Sequence, residues 1–229
     1  MQAQQLATLA EHVAEKRRAA AATIVWMMMI AGFVVTTIIA GQLLDPFSPE
    51  RLVAVASGVS VVAVLIAAVA LWGVEPQASA RVAEKKTKTD FKAALHDVWN
   101  DREARRFTYF VFISMLAYNM QDLILEPFAG AVFTFSPGES TKLSGVQHGG
   151  VLAGMILMAV TGSVFGGSRK TVLKAWMVGG CIASALAVAG LCLAAMIGPV
   201  APLRPLVFIL GTANGAFAVA AIASMMALA

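Results

Sequence analysis

Charge is scarce in this chain of 229 residues: Asp, Glu, Lys and Arg together supply 13% of it. A soluble domain carries about a quarter of its residues charged, so a water-facing surface wrapped around one core is excluded. Cysteine is scarce too. Cys181 and Cys192, the only two, lie about 16 Å apart along one predicted helix and cannot bond to each other, which excludes a disulfide framework. Histidine occurs three times, and His12 and His96 stand in hydrophilic segments without companion ligands, so a zinc site has no support. No glycine-rich phosphate loop, nucleophile elbow or metal-hydrolase helix is present. With no nucleophile at usable spacing from a base, the residues read as no enzyme, no catalytic set and no metal centre held by protein ligands alone. The net charge of +4 and pI near 9.3 lack the aromatic interleaving of a nucleic-acid reader, so no nucleic-acid partner is expected. A cleavable signal peptide is not expected either, since Met1 to Ala20 is polar and of mixed charge.

What is there is apolar: 59% hydrophobic residues and a mean hydropathy of +0.78. That composition implies an integral membrane protein whose first partner is the lipid bilayer. A hydrocarbon core about 30 Å thick needs about 20 residues of helix, and six segments meet or approach this length. They are Thr23 to Leu44, Leu52 to Trp72, Phe107 to Phe135, Val146 to Phe165, Ala175 to Ile197 and Leu206 to Ala229. The expected fold is therefore all-α, a polytopic bundle of six transmembrane helices. Pro127 predicts a kink in the third, because it removes a helix hydrogen bond.

Sidedness follows from the placement of Lys and Arg near span ends. Lys16, Arg17, Arg18, the bases from Arg81 to Arg106, Arg169, Lys170 and Lys174 fall on one side. Only Arg51, Lys142 and Arg204 fall on the other, which predicts cytoplasmic chain ends. Residues 1–75 then hold a cytoplasmic start and two spans, 76–106 a cytoplasmic linker, and 107–229 four spans. Within the linker, Phe91, Ala94, Leu95, Val98 and Trp99 share one helical face, opened by Thr89 or Asp90 as a cap. This reads as a short amphipathic helix on the membrane surface, or equally as one packed on the cytoplasmic span ends. The final apolar run reaches Ala229 without a polar terminus, so further spans are expected before Met1 and after Ala229.

Glycines recur at four-residue spacing in Gly145 and Gly149, Gly150 and Gly154, Gly162 and Gly166, and Gly211 and Gly215. Such pairs read as helix-packing faces. The Gly149 and Gly150 pair also suits a turn into the fourth span. Met27, Met28 and Met29 beside Trp26 read as ordinary span filling or an adaptable lipid-facing surface.

Two acids resist this bland reading. Asp122 and Glu126, in YNMQDLILEPFAG from Tyr118 to Gly130, lie one helical turn apart in the third span. An ionisable group there costs roughly 2.5 to 3.5 kcal/mol on insertion scales, which points to a cavity, a partner or a proton. Gln121 adds a polar neighbour. The competing structural reading gives both carboxylates to backbone groups freed by Pro127 or to neighbouring helices, with a structural role only. Gln147 and His148 form a second polar pair, at the entrance of the fourth span. A neutral imidazole ligates metals, the magnesium of a chlorin ring among them. The competing reading has His148 bonded to a neighbouring backbone group or acid.

The block YNMQDLILEPFAGAVFTFSPGESTKLSGVQHGG, from Tyr118 to Gly150, closely resembles the PucC/LhaA family of phototrophic bacteria. Lys16 to Trp72, with the turn DPFSPERL, and GTANGAFAVAAIASMM from Gly211 to Met226 resemble it more weakly. The resemblance implies a branch of the major facilitator superfamily, of which this chain would hold a partial bundle. It further implies a membrane assembly factor for bacteriochlorophyll-containing light-harvesting complexes. Its partners would be antenna polypeptides and the reaction-centre complex, in a bacterial inner or intracytoplasmic photosynthetic membrane. Bacteriochlorophyll is the candidate cofactor, held near Gln121, Asp122, Glu126, Gln147 and His148, with His148 as its axial ligand. Two other readings remain: a proton-coupled transporter with Asp122 as proton carrier, and an inert structural subunit of a photosynthetic complex.

Overall fold

A computed structural model describes residues 18–72, 96, 99–165 and 170–228. Apart from caps and turns, the described residues are helical, in six long helices: α1 Arg18–Leu43, α2 Pro49–Leu71, α3 Arg102–Phe133, α4 Pro137–Phe165, α5 Lys170–Ile197 and α6 Leu203–Leu228. Five of them contain stretches long and apolar enough to cross a membrane: Thr23–Leu43, Pro49–Leu71, Pro137–Thr161, Thr171–Ile197 and Leu203–Ser224. The protein is an all-α, multi-pass membrane protein. At 32 residues, α3 has the length to cross, about 48 Å, but Asn119, Gln121, Asp122 and Glu126 dilute its apolar run. It continues helical through Pro127. The expected surface helix of the linker falls largely outside the described residues, as do His12 and the bases from Arg81 to Lys92.

Local chemistry sets the helix ends. α2 and α4 both open on a serine followed by proline. Ser48 Oγ accepts from the Arg51 N–H at 3.1 Å, and proline at the first helical position has no N–H to leave unpaired. At α4 the cap is reciprocal: the Glu139 N–H donates to Ser136 Oγ at 3.2 Å, and the Ser136 N–H to Glu139 Oε2 at 2.9 Å. This capping box starts α4 at Pro137 and corrects the expected start at Val146. Gln147 and His148 therefore lie three turns into the helix, not at its entrance. Gly149 and Gly150 make no turn; both are helical. α5 closes where Gly198 takes a φ of 81°, a conformation that glycine adopts without a Cβ penalty.

The chain divides into two compact units, residues 1–55 with 125–229 and residues 56–124. In the first, α6 packs against α4, α5 and α1, and α4 packs against α1. The α4–α6 crossing is made of glycine. A Cβ on Gly150 or Gly154 would collide with the Phe208 or Thr212 carbonyl, and one on Gly211 or Gly215 with the Gln147 or Val151 carbonyl. Two of the glycine pairs expected from the sequence are thus two sides of one backbone contact. Around it Ile30, Val151, Met155, Met158, Ala216 and Val219 bury their side chains, with Trp26, Met27 and Met29 packed against them. Met28 points outward, 70% exposed. A second cluster joins Leu125, Ala129 and Phe133 of α3 to Leu143, Ala194, Leu203 and Val207. In the other unit, the α2 residues bury no side chain, as expected of a helix left to lipid.

Candidate functional site

His148 projects from α4, whose register the Ser136 cap fixes. Its Nδ1 lies 2.8 Å from the Ser144 carbonyl oxygen, one turn earlier. A carbonyl oxygen only accepts, so the bond places the proton on Nδ1 and leaves the Nε2 lone pair as the ligating position. The Phe33 ring of α1 meets the imidazole edge-on, with centroids 5.3 Å apart. Ser144 also works outward: its hydroxyl donates to Glu126 Oε1 at 2.8 Å. One turn of α4 thereby links an exposed carboxylate on α3 to a half-buried imidazole against α1. The bond from Ser144 gives one Glu126 oxygen a partner on a neighbouring helix, as the competing structural reading allowed, and not on backbone freed at Pro127.

The remaining expected residues each have a place in their own unit. Gln147 is 2% exposed and sits on the α6 side of α4, where its carbonyl faces Gly211. Adjacent in sequence, Gln147 and His148 differ by about 100° around the helix, so one serves the core and the other the surface. Gln121 and Asp122, both half-buried, belong to the unit of residues 56–124. Asn119 bonds back to the Met115 carbonyl at 2.7 Å. No group of three or more His, Cys, Asp or Glu side chains suited to a metal ion occurs among the described residues.

The sequence reading passed over a polar joint at one end of the first unit. Lys142 Nζ pairs with Asp45 Oδ2 at 2.5 Å, and Ser136 Oγ donates to Asp45 Oδ1 at 3.1 Å. Arg51 Nη1 donates to the Asp45 carbonyl at 2.9 Å. Lys142, and after it Ser136, hold the Asp45 carboxyl below its usual range against an opposing desolvation. The close approach of Gly41 to Lys142 and of Gly138 to Asp45 makes the joint possible. The signal was in the sequence, as an acid in DPFSPERL and a base in SPGESTK, but nothing local pairs residues 97 apart.

A groove of about 640 Å³ runs between α4, α5 and α6, lined by Leu157, Trp176, Gly179, Gly180, Phe208, Ile209 and Thr212 among others. The Thr212 hydroxyl is turned to the Phe208 carbonyl at 2.9 Å, so the lining is apolar in effect. None of the expected site residues lines it.

The whole chain, residues 1–229, matches the PUCC protein family. The chain belongs to that family. A relative in Rhodobacter capsulatus named "Bacteriochlorophyll synthase 44.5 kDa chain" is 46% identical over 98% of this chain and 51% of its own length. "Protein PucC" of Cereibacter sphaeroides is 30% identical over 62% of this chain and 31% of its own length. "Protein PucC" of Rhodovulum sulfidophilum is 28% identical over 54% and 28%. The chain thus spans about half, or less, of the curated relatives it matches. No solved structure matches it. The first of these names corrects one expectation: a family member this similar is named as a chain of a synthase, so the reading of the residues as no enzyme does not stand.

Proposed function

We propose that this chain handles bacteriochlorophyll in the membrane, at the step where pigment is joined to antenna polypeptides of light-harvesting complexes. Membership of the PUCC family over all 229 residues carries the reading, and the synthase name of the 46% identical relative points to the same pigment. The chain would work beside the synthesis of the pigment as well as its assembly, with antenna polypeptides and the reaction-centre complex as partners. Its place is the bacterial inner or intracytoplasmic membrane, with both described ends toward the cytoplasm and residues 76–106 as a linker on that side.

The residues of the first unit fit a chlorin ligand. An imidazole whose Nδ1 is bonded to a carbonyl presents Nε2 as a fixed ligand, the second-shell arrangement usual for metal-binding histidine. Phe33 limits the rotation of that ring, and the apolar span surface excludes water from its surroundings. When bound, the pigment would supply the chromophore and a magnesium open to a nitrogen donor. His148 would hold that magnesium, and Glu126 with Ser144 would meet polar substituents of the ring. Gln121 and Asp122 are proposed as a polar position for a partner helix or a proton.

The test is an absorption spectrum of the protein purified gently from its native membrane, with mass spectrometry of what accompanies it. Bacteriochlorophyll and antenna polypeptides are expected with the native chain, and His148→Ala should lose most of the pigment while staying folded. Colourless protein without antenna partners would sink the proposal. Solute movement that depends on pH and disappears in Asp122→Asn would replace it with transport.

A further inference from the structure

The first two turns of α3 carry a face that nothing in the pigment reading uses. Around a helix with 100° per residue, Arg102, Arg105, Arg106 and Tyr109 fall within an arc of about 100°, whereas Asp101 and Glu103 fall to either side of it. Asp101 is spent locally: its Oδ1 accepts the Glu103 N–H at 2.8 Å, as an N-cap does. Among the described residues neither Arg102 nor Arg106 has a carboxylate within ion-pair distance, and both are exposed. Like charges at i, i+3 and i+4 repel, so this face favours an anion.

Arg105 is held in place. Its Nη1 donates to the Trp99 carbonyl at 3.0 Å, which ties the residues before α3 to its first turn and leaves the other guanidinium donors for a ligand. Trp99 and Tyr109 stand edge to face, ring centroids 5.9 Å apart, each about half exposed at 48% and 50%. Such an aromatic pair is at home at the level of lipid headgroups. The length of α3 agrees. Its 32 residues span about 48 Å, against a hydrocarbon core of about 30 Å, so the first turns stand in the headgroup layer when the rest crosses.

We infer that Arg102, Arg105 and Arg106, flanked by Trp99 and Tyr109, form a binding site for the phosphate of an anionic phospholipid headgroup. Three guanidinium forks match phosphate oxygens in charge and in donor geometry. The aromatic pair sets the depth at which the phosphate is met. The site is independent of the pigment reading and stands or falls by itself.

The test uses the full chain in nanodiscs of phosphatidylcholine with phosphatidylglycerol, with native mass spectrometry of the lipid that stays bound after release into detergent. Phosphatidylglycerol should be retained in preference. Each of Arg102→Gln and Arg106→Gln should lower its retention about fivefold, and the triple Gln variant should abolish the preference. Arg51→Gln, on another helix, should change nothing. Equal retention of the two lipids, or an equal loss in Arg51→Gln, would overturn the site. Displacement of the lipid by inorganic phosphate would overturn its assignment to a lipid. Circular dichroism of each variant separates loss of the site from loss of the fold, and the two single variants at exposed positions stand in if the triple variant does not fold.

Discussion

At the scale of the residue, two glycines of one helix have opposite consequences. Gly149 has open space where a Cβ would go, whereas a Cβ on Gly154 would meet the Thr212 carbonyl. Gly154→Ala is expected to cost about 1–3 kcal/mol as α4 and α6 are forced apart. Gly149→Ala should be neutral or gain up to about 1 kcal/mol of helix propensity. Unfolding of the purified chain by heat or by denaturing detergent measures both, and an equal loss in the two variants would refute the close crossing. The glycine spacing was visible in the sequence. The partner of each pair was not, because small-residue spacing states that a backbone approaches without stating which one. Asp45 offers a second test. Lys142 lowers its pKa from the usual 3.8, so its folded value lies below its unfolded one. The pair therefore stabilises above pH 3.8, and that contribution fades as pH falls through the folded value. Lys142→Gln should flatten this acid limb in unfolding measured from about pH 6 to about pH 3. An acid limb identical to that of the native chain would show that the pair contributes nothing.

At the scale of the element, caps decide where the helices begin. Segment SPGESTK looks like a polar loop by composition, and the expected fourth span began after it. Ser136 and Glu139 instead bond each other's backbone N–H groups, and the polar stretch becomes the first two turns of α4. Ser136→Ala should cost about 1 kcal/mol, seen as faster hydrogen exchange of the α4 amides near residue 140 with those near residue 155 unchanged. Uniform acceleration along α4 would count against a local cap. The S-x-x-E pattern was legible at this position, but hydropathy outweighed it. The same shift of register moves His148 three turns into the helix and sets it against Phe33.

At the scale of the whole molecule, the first unit is built around α6, the helix that touches α1, α4 and α5. The residues proposed to hold the pigment, His148, Ser144, Glu126 and Phe33, all lie in this unit. Its spectroscopic test asks about the intact assembly, since the chain spans only about half of its 46% identical relative. The arginine face of α3 asks a different question, about the lipid around the protein.

The order of residues alone determined the class of this protein. Long stretches without charge satisfy their backbone polar groups only as helices in a bilayer, so an all-α, multi-pass chain followed from the order of apolar residues. The family followed from the block between Tyr118 and Gly150. Tertiary structure decided what no local pattern holds. It set the Asp45 and Lys142 pair across 97 residues, placed Gln147 inward and His148 outward, and joined Glu126 to Ser144 across 18. Each of these depends on the angle and depth at which two helices meet, and in lipid that is set by which backbones can approach most closely, not by hydrophobicity that every span shares.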